Sequence, residues 1–186
     1  MDDVCGLPSG GSVRIAARAL PPEGAPAALP AAGAGAEERE DLGQERAGLP
    51  VYVWIHGGGW ASGCQASPWY DGRNFNRDGV VTVTVSYRLG FDGFGWIEDA
   101  PSNRGVRDWL LALDWVQRNI AAFGGDPDAV TISGTSGGAG SVAALLTIPA
   151  ARPLFRRAIT HSVPGLNITP ALAAEVTAAL AERLGI

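Results

Sequence analysis

The sequence has 186 residues, 46% of them hydrophobic, and a formal net charge of −5 at pH 7. This length predicts one domain with its own core, and the modest negative charge excludes the basic surface that nucleic acid or an anionic membrane would require. No apolar run reaches the roughly 18 residues of a membrane span. The N-terminal sequence MDDVCGLPSGG lacks the basic and apolar regions of a signal peptide. We therefore expect a soluble, cytoplasmic protein that neither spans a membrane nor binds nucleic acid.

Residues 1–49 are predicted to be a weakly ordered N-terminal segment. Within it, the stretch SVRIAARAL is compatible with a short edge strand. From Pro21 to Gly48 the sequence is rich in Ala, Pro and Gly and has few large apolar side chains to bury. We expect this part to be a mobile loop, since little burial would offset its ordering entropy.

Residues 50–186 are predicted to form one α/β domain. A helix is expected to begin near Asn103 and to end at Gly124-Gly125, because apolar residues recur between them at helical spacing and Pro127 follows. The apolar stretch after Ser136 predicts a second, buried helix. Short runs rich in β-branched residues predict strands at residues 51–55, 80–86, 129–133 and 157–160. Strands that alternate with helices favour a mostly parallel sheet with helices on both faces.

The pentapeptide GTSGG, residues 134–138, directly follows the predicted strand 129–133. The G-x-S-x-G pattern alone is weak evidence, because 26 of the 186 residues are glycine. Its position is more informative, since a nucleophilic serine needs a strand that delivers it to the sheet edge, small neighbours and a helix that starts at once. That helix start also places partial positive charge where an oxyanion would form. The pattern therefore predicts Ser136 as a nucleophile.

The same glycines are compatible with a nucleotide-binding turn, since Gly134, Gly138 and Gly140 have the spacing G-x-x-x-G-x-G. Such a turn is normally followed, about 20 residues later, by an acidic residue that holds a ribose. The corresponding region here is LFRRAITHS, which contains no Asp or Glu. The missing acid argues against dinucleotide binding.

A second glycine cluster, His56-Gly57-Gly58-Gly59-Trp60, follows the predicted strand 51–55. Serine hydrolases with a G-x-S-x-G turn place an HGGG-type turn here, so that backbone N–H groups face the carbonyl oxygen under attack. A glycine-rich loop without a function would explain the glycines. It would not explain why these glycines directly follow the predicted strand 51–55 and precede a second unit of strand, serine turn and helix.

Together these blocks resemble the type-B carboxylesterase family, the cholinesterase-like branch of the α/β-hydrolases. The resemblance covers residues 50 to about 163 and is carried by LPVYVWIHGGGW, YDG, VVTVTVSYRLGFDGFG, APSNRGVRDWLLALDWVQRNIAAFGGDPDAVTISGTSGG and LFRRAITHS. It implies a partial α/β-hydrolase fold and a serine carboxylesterase that acts on small-molecule carboxylic esters through an acyl-enzyme. It also implies that Ser136 is the nucleophile and that the amides of Gly58, Gly59 and Gly137 form the oxyanion hole.

The chain departs from the family pattern at three positions near the site. Thr135 stands where Glu is usual, which removes a carboxylate. Gly137 stands where Ala is usual, which keeps the N–H donor but loosens the turn. Trp60 stands where Phe is commoner and is expected to narrow the acyl pocket. The matching framework positions, expected to be structural, are Arg88, Asn103 and Asp108.

A serine hydroxyl needs a base, and in this fold the order along the chain is serine, acid, histidine. After Ser136 the sequence has one histidine, His161, and two acids, Glu175 and Glu182, which both follow that histidine. We expect His161 to be a polar residue at a strand end, His56 to be a hydrogen-bonding residue of the scaffold, and the two glutamates to lie on a solvated helix face. The sequence therefore resembles the N-terminal part of a carboxylesterase whose acid and histidine are absent from these 186 residues.

The alternative is a non-catalytic carboxylesterase-like binding protein or an inactive fragment. Neither interpretation implies a metal or an organic cofactor, since the sequence has no HExxH motif and no clustered His and Cys. A disulfide between the two cysteines, Cys5 and Cys64, is left open. A chain without the later strands of the fold would expose an apolar sheet edge, through which we expect self-association.

Overall fold

The computed structural model describes residues 15–18, 48–165 and 167–186. Within them, one five-stranded sheet has the strand order β1-β3-β2-β4-β5. The strands are β1 (Ile15–Arg18), β2 (Leu49–Ile55), β3 (Val81–Val85), β4 (Gly125–Thr135) and β5 (Arg157–His161). Strands β2 to β5 pair in parallel, and β1 pairs antiparallel with β3 at one edge. The mostly parallel sheet is confirmed, and part of SVRIAARAL contributes its edge strand.

The predicted helices before β4 and after Ser136 are present, and the helices at residues 73–77 and 90–94 were not predicted. The helices are α1 (Arg73–Arg77), α2 (Gly90–Phe94), α3 (Arg104–Asn119), α4 (Gly137–Thr147) and α5 (Pro170–Leu184), with 3₁₀ helices at Pro68–Tyr70, Ile120–Phe123 and Pro149–Leu154. Within the described ranges, none of these helices combines the length and apolar character that a bilayer crossing needs. Residues 21–47 of the predicted loop lie outside the described residues.

The boundary between α3 and β4 differs from the prediction. Helix α3 ends at Asn119, and a 3₁₀ turn leads to Gly124, whose φ is 80°. Strand β4 then begins at Gly125, four residues before the β-branched run. The reason is a long-range contact: the Leu49 amide donates to the Gly124 carbonyl at 2.8 Å, and Leu49 pairs with Gly125. Pairing with the start of β2 therefore lengthens β4 by the polar residues 125–128.

The two faces of the sheet are covered unequally. Side chains alternate along β2 and β3, and one face packs against α3 and α4. This core contains Val51, Val53, Ile55, Val81, Val83 and Val85 from the strands and Trp109, Leu113, Val116, Val142 and Leu145 from the helices. On the opposite face, Phe75 of α1 stacks on Tyr52, with ring centroids 4.9 Å apart. Helices lie on both faces, as predicted, and each large apolar side chain buried between them stabilises the fold by about 1.5–3 kcal/mol.

A partly buried ion pair joins the segment after β3 to α3. Arg88 donates from Nε and Nη2 to the two carboxylate oxygens of Asp108, at 2.8 and 2.7 Å. The hydrogen bond to this carboxylate raises the pKa of Arg88, and the forked geometry fixes the relative orientation of the two elements. Arg104, which the sequence did not single out, donates to the carbonyls of four residues in the α2 connection: Phe91, Asp92, Gly95 and Pro101.

Cys64 lies five residues beyond the glycine turn and is buried. Its sulfur is disulfide-bonded. Cys5, the one other cysteine of the sequence, lies outside the described residues.

His56 is buried where β2 ends, with 1% of its surface exposed. Its Nδ1–H donates to the Gly57 carbonyl at 2.8 Å, since a carbonyl oxygen can only accept. The Tyr87 hydroxyl donates a hydrogen bond to the His56 carbonyl at 2.8 Å, and the Tyr87 ring stacks on the imidazole with the ring centroids 4.6 Å apart. The Nε2 atom is buried without a partner among the described residues. Burial lowers the pKa of His56, and the ring is a hydrogen-bonding part of the scaffold, as the sequence predicts.

We expect this histidine to make folding pH-dependent. Because its folded pKa lies below the ordinary value of 6.5, the unfolded chain binds a proton that the folded chain excludes. The stabilisation by neutral His56 is complete above pH 6.5 and is lost as the pH falls below it. Urea unfolding between about pH 5 and pH 8 measures the slope.

The variant His56→Gln, which keeps a hydrogen-bond donor, is expected to flatten that slope. The matched control is His161→Gln, which changes an exposed histidine. A folded His56→Gln variant with the slope of the parent chain would contradict the prediction.

Candidate active site

Ser136 lies at the junction of β4 and α4 and is exposed. Its φ of 52° and ψ of −123° fall in a region that favours glycine, and such backbone strain costs about 1–3 kcal/mol. Hydrogen bonds on both sides hold it: the Ser136 amide donates to the His161 carbonyl at 2.9 Å, and the Gly140 amide donates to the Ser136 carbonyl at 3.0 Å. The sheet and the helix together therefore fix the strained turn.

The glycine turn after β2 packs directly on this junction. A Cβ built on Gly138 would lie 2.0 Å from the Ile55 carbonyl oxygen, so only glycine fits in the first turn of α4. A Cβ built on Gly57 would lie 3.4 Å from the Ser136 Cβ. The two glycine motifs, at residues 56–60 and 134–138, thus meet at the carboxyl edge of the parallel sheet, as the sequence predicts.

The backbone of the glycine turn presents amides to the start of α4. Gly58, Gly59 and Trp60 have successive positive φ angles of 112°, 62° and 59°. The Gly58 carbonyl accepts hydrogen bonds from the amides of Ala61 and Ser62, both at 3.1 Å. A point at the Cβ position of Gly137 lies 3.2 Å from the amide nitrogens of both Gly59 and Trp60.

Three of the four predicted site residues are therefore shown close together: Ser136, Gly137 and Gly59. Gly58 lies one residue away in the same turn. The Trp60 amide nitrogen also lies close to Gly137. The sequence does not indicate it, because the HGGG motif ends at Gly59. The oxyanion-hole roles of these amides stay predictions.

No described side chain hydrogen-bonds to the Ser136 hydroxyl. His161 is the last residue of β5 and pairs with Thr135, but its exposed side chain makes no described contact with the serine. Glu175 and Glu182 are exposed on α5. The described residues contain no group of three or more His, Cys, Asp or Glu side chains that could hold a metal ion.

This arrangement is suited to an oxyanion that forms beside the Ser136 hydroxyl, a role that stays a prediction. The amide nitrogens of Gly59 and Trp60 lie near the N-terminus of α4, where the helix dipole favours negative charge. The described residues provide no base at hydrogen-bonding distance from Ser136.

Comparisons with known proteins match this geometry. The model of the carboxylesterase family matches residues 36–186. Over 143 residues the chain is 47% identical to para-nitrobenzyl esterase of Bacillus subtilis (strain 168), a match that covers 74% of this chain and 29% of that protein. It is 51% identical over 116 residues to cholinesterase of Mus musculus, covering 60% of this chain and 19% of that protein.

A solved structure of PNB esterase is similar to the fold, with a TM-score of 0.71 and 46% identity over 75% of this chain and 31% of that chain. The chain thus spans less than a third of the length of these relatives. Because the family match covers most of the sequence and the sheet and site geometry agree with the α/β-hydrolase fold, the chain belongs to the carboxylesterase family.

Proposed function

We propose that this chain supplies the nucleophile and the oxyanion hole of a serine carboxylesterase. The observation that carries the proposal is the exposed, strained Ser136 beside the amides of Gly59 and Gly137. The relatives named as esterases support the same chemistry. A serine held in an unfavourable conformation at a turn packed on a second glycine turn is costly to maintain without a function.

In the proposed reaction, the Ser136 Oγ attacks the carbonyl carbon of a carboxylic ester while a base takes the hydroxyl proton. The amides of Gly58, Gly59 and Gly137 donate to the oxyanion, and removing one oxyanion-hole donor from a serine hydrolase raises the activation barrier by about 2.7–4 kcal/mol. The bond to the alcohol then breaks, the alcohol leaves with the proton, and the acyl group stays on Ser136. Water releases the acid in a second addition and elimination.

We propose that the base and its acid partner come from outside these 186 residues. The triad order of serine, acid and histidine cannot be formed after Ser136 in this sequence. His56 Nε2 is buried, and the His161 side chain does not contact the serine. The chain alone should therefore turn over esters slowly and react only slowly even with strong electrophiles, so that labelling needs long incubation at mildly alkaline pH.

The substrate class is a small, uncharged or weakly charged carboxylic ester. Two relatives, at similar identity to this chain, are named for different esters, as a para-nitrobenzyl esterase and a cholinesterase. The residues that they share with this chain thus support ester chemistry in general. The walls that choose among esters lie mostly outside the shared segment.

A fluorophosphonate probe tests the proposed nucleophile. We expect covalent labelling of the parent chain and of Ser102→Ala, a matched change at an exposed serine, and no labelling of Ser136→Ala. The readout is intact mass with peptide mapping, and p-nitrophenyl acetate hydrolysis measures turnover. Labelling that persists in Ser136→Ala would remove this serine from its role.

The alternative of a non-catalytic binding protein has a distinct outcome in the same experiment. A folded parent chain that binds an ester but does not react with the probe would favour binding over catalysis. Fast ester turnover that disappears in a folded His161→Ala variant would instead make His161 the base, and the proposal that the base lies elsewhere would be wrong.

We also propose self-association through β5. Among the described residues, β5 pairs with β4 alone, and Ile159 on it is 41% exposed. An unpaired strand edge with apolar side chains favours pairing with another chain. The expected result is concentration-dependent association in sedimentation velocity, which Ile159→Lys reduces. A parent chain that stays monomeric at high concentration would contradict this.

Localisation in the cytoplasm stays a prediction.

A further inference from the structure

Trp60 adopts a backbone conformation that is rare for a bulky residue. Its φ is 59°, in the left-handed region, and it directly follows two glycines with positive φ. A large aromatic residue persists there only when its surroundings hold it in place. What holds Trp60 therefore also determines where the amides of the glycine turn lie.

The indole ring is bound to the first turns of α4. Its Nε1–H donates to the Ser141 hydroxyl at 3.0 Å, and that hydroxyl donates in turn to the Gly137 carbonyl at 2.9 Å. Ser141 is fully buried. On the other side of the residue, the Trp60 carbonyl accepts a hydrogen bond from the Gly90 amide at 2.6 Å.

The surface of α4 is shaped to receive this ring. A Cβ built on Gly140 would lie 2.6 Å from Cζ2 of the Trp60 indole, so the ring occupies the space that a side chain would fill. Glycine is a poor helix former, and here it has a packing reason. Gly140 thus leaves a notch in the surface of α4 that the Trp60 indole fills, and the Ser141 hydroxyl accepts the hydrogen bond of that indole.

Gly137 belongs to the same arrangement. An alanine at this position would place its Cβ 3.2 Å from the amide nitrogens of Gly59 and Trp60, closer than such contacts normally are. The turn can lie this near because the residue is glycine. The two departures from the family resemblance, Trp60 and Gly137, are therefore consistent with one close packing of the turn on α4.

We propose that Trp60 is a positioning residue for the oxyanion hole, and that the hydrogen bond from its indole to Ser141 holds the Gly59 amide beside Gly137. The importance of this role for catalysis rests on the proposed function. The positioning of the Gly59 amide by Trp60 does not depend on it. The phenylalanine that is commoner at this position in the family has a ring without the N–H donor.

The first test measures positioning without any reaction. Amide and indole resonances are assigned by NMR, and their hydrogen exchange is compared in the parent chain, Trp60→Phe, Ser141→Ala and the double variant. We expect both single variants to raise the exchange rates of the Ala61 and Ser62 amides, which donate to the Gly58 carbonyl within the glycine turn, by about threefold to tenfold, as loss of one neutral hydrogen bond predicts. The control Trp69→Phe changes a tryptophan that is 93% exposed and should leave these rates unchanged.

The second test measures the consequence for Ser136. Fluorophosphonate labelling, in which the phosphoryl oxygen requires the oxyanion hole, should slow by a similar factor in Trp60→Phe and in Ser141→Ala. The double variant should be no slower than the slower single variant, because both remove the same bond. Gly140→Ala should slow labelling too, since its methyl group displaces the indole.

The outcomes separate the two proposals. A parent chain that does not label, together with raised exchange in the variants, would refute the esterase proposal and keep the positioning role. Parent rates of exchange and labelling in Trp60→Phe, or additive effects of the two substitutions, would overturn the role of Trp60. If Trp60→Phe fails to fold, Ser141→Ala decides by the same exchange measurement.

Discussion

The site depends on the parallel pairing of β2 with β4, in which Ile55 lies opposite Gly134. This register brings the ends of two strands to one level, so the turns that follow them must share the same space. The contact is close enough that a Cβ on Gly138 would lie 2.0 Å from the Ile55 carbonyl oxygen. A slip of one residue would turn each side chain of β4 to the opposite face and separate the two glycine motifs.

The neighbouring contacts keep this junction rigid enough to hold strain. His56 and Tyr87 fill the space under the glycine turn with a hydrogen bond and a stacked ring pair. The bidentate pair of Arg88 and Asp108 fixes the segment after β3 to α3. The cost of about 1–3 kcal/mol for the Ser136 conformation is small beside the burial that holds the strands on both sides.

Much of this arrangement is predictable from the sequence, because it follows from local patterns. The β-branched runs predict four strands, and the fixed order of HGGG and G-x-S-x-G predicts which turns meet. What the sequence does not indicate depends on long-range contacts. Pairing with Leu49 moves the start of β4 to Gly125. Arg104 donates hydrogen bonds to four carbonyls in and after α2. The notch at Gly140 is recognisable only beside the Trp60 indole.

The most direct test of the central claim, that Ser136 and the glycine turn form one oxyanion site, is a crystal structure of the chain after reaction with a fluorophosphonate. The account predicts phosphorus bonded to the Ser136 Oγ, with the phosphoryl oxygen at hydrogen-bond distance from the amide nitrogens of Gly59 and Gly137. An adduct on another residue, or a phosphoryl oxygen directed to solvent while both turns keep their positions, would contradict it.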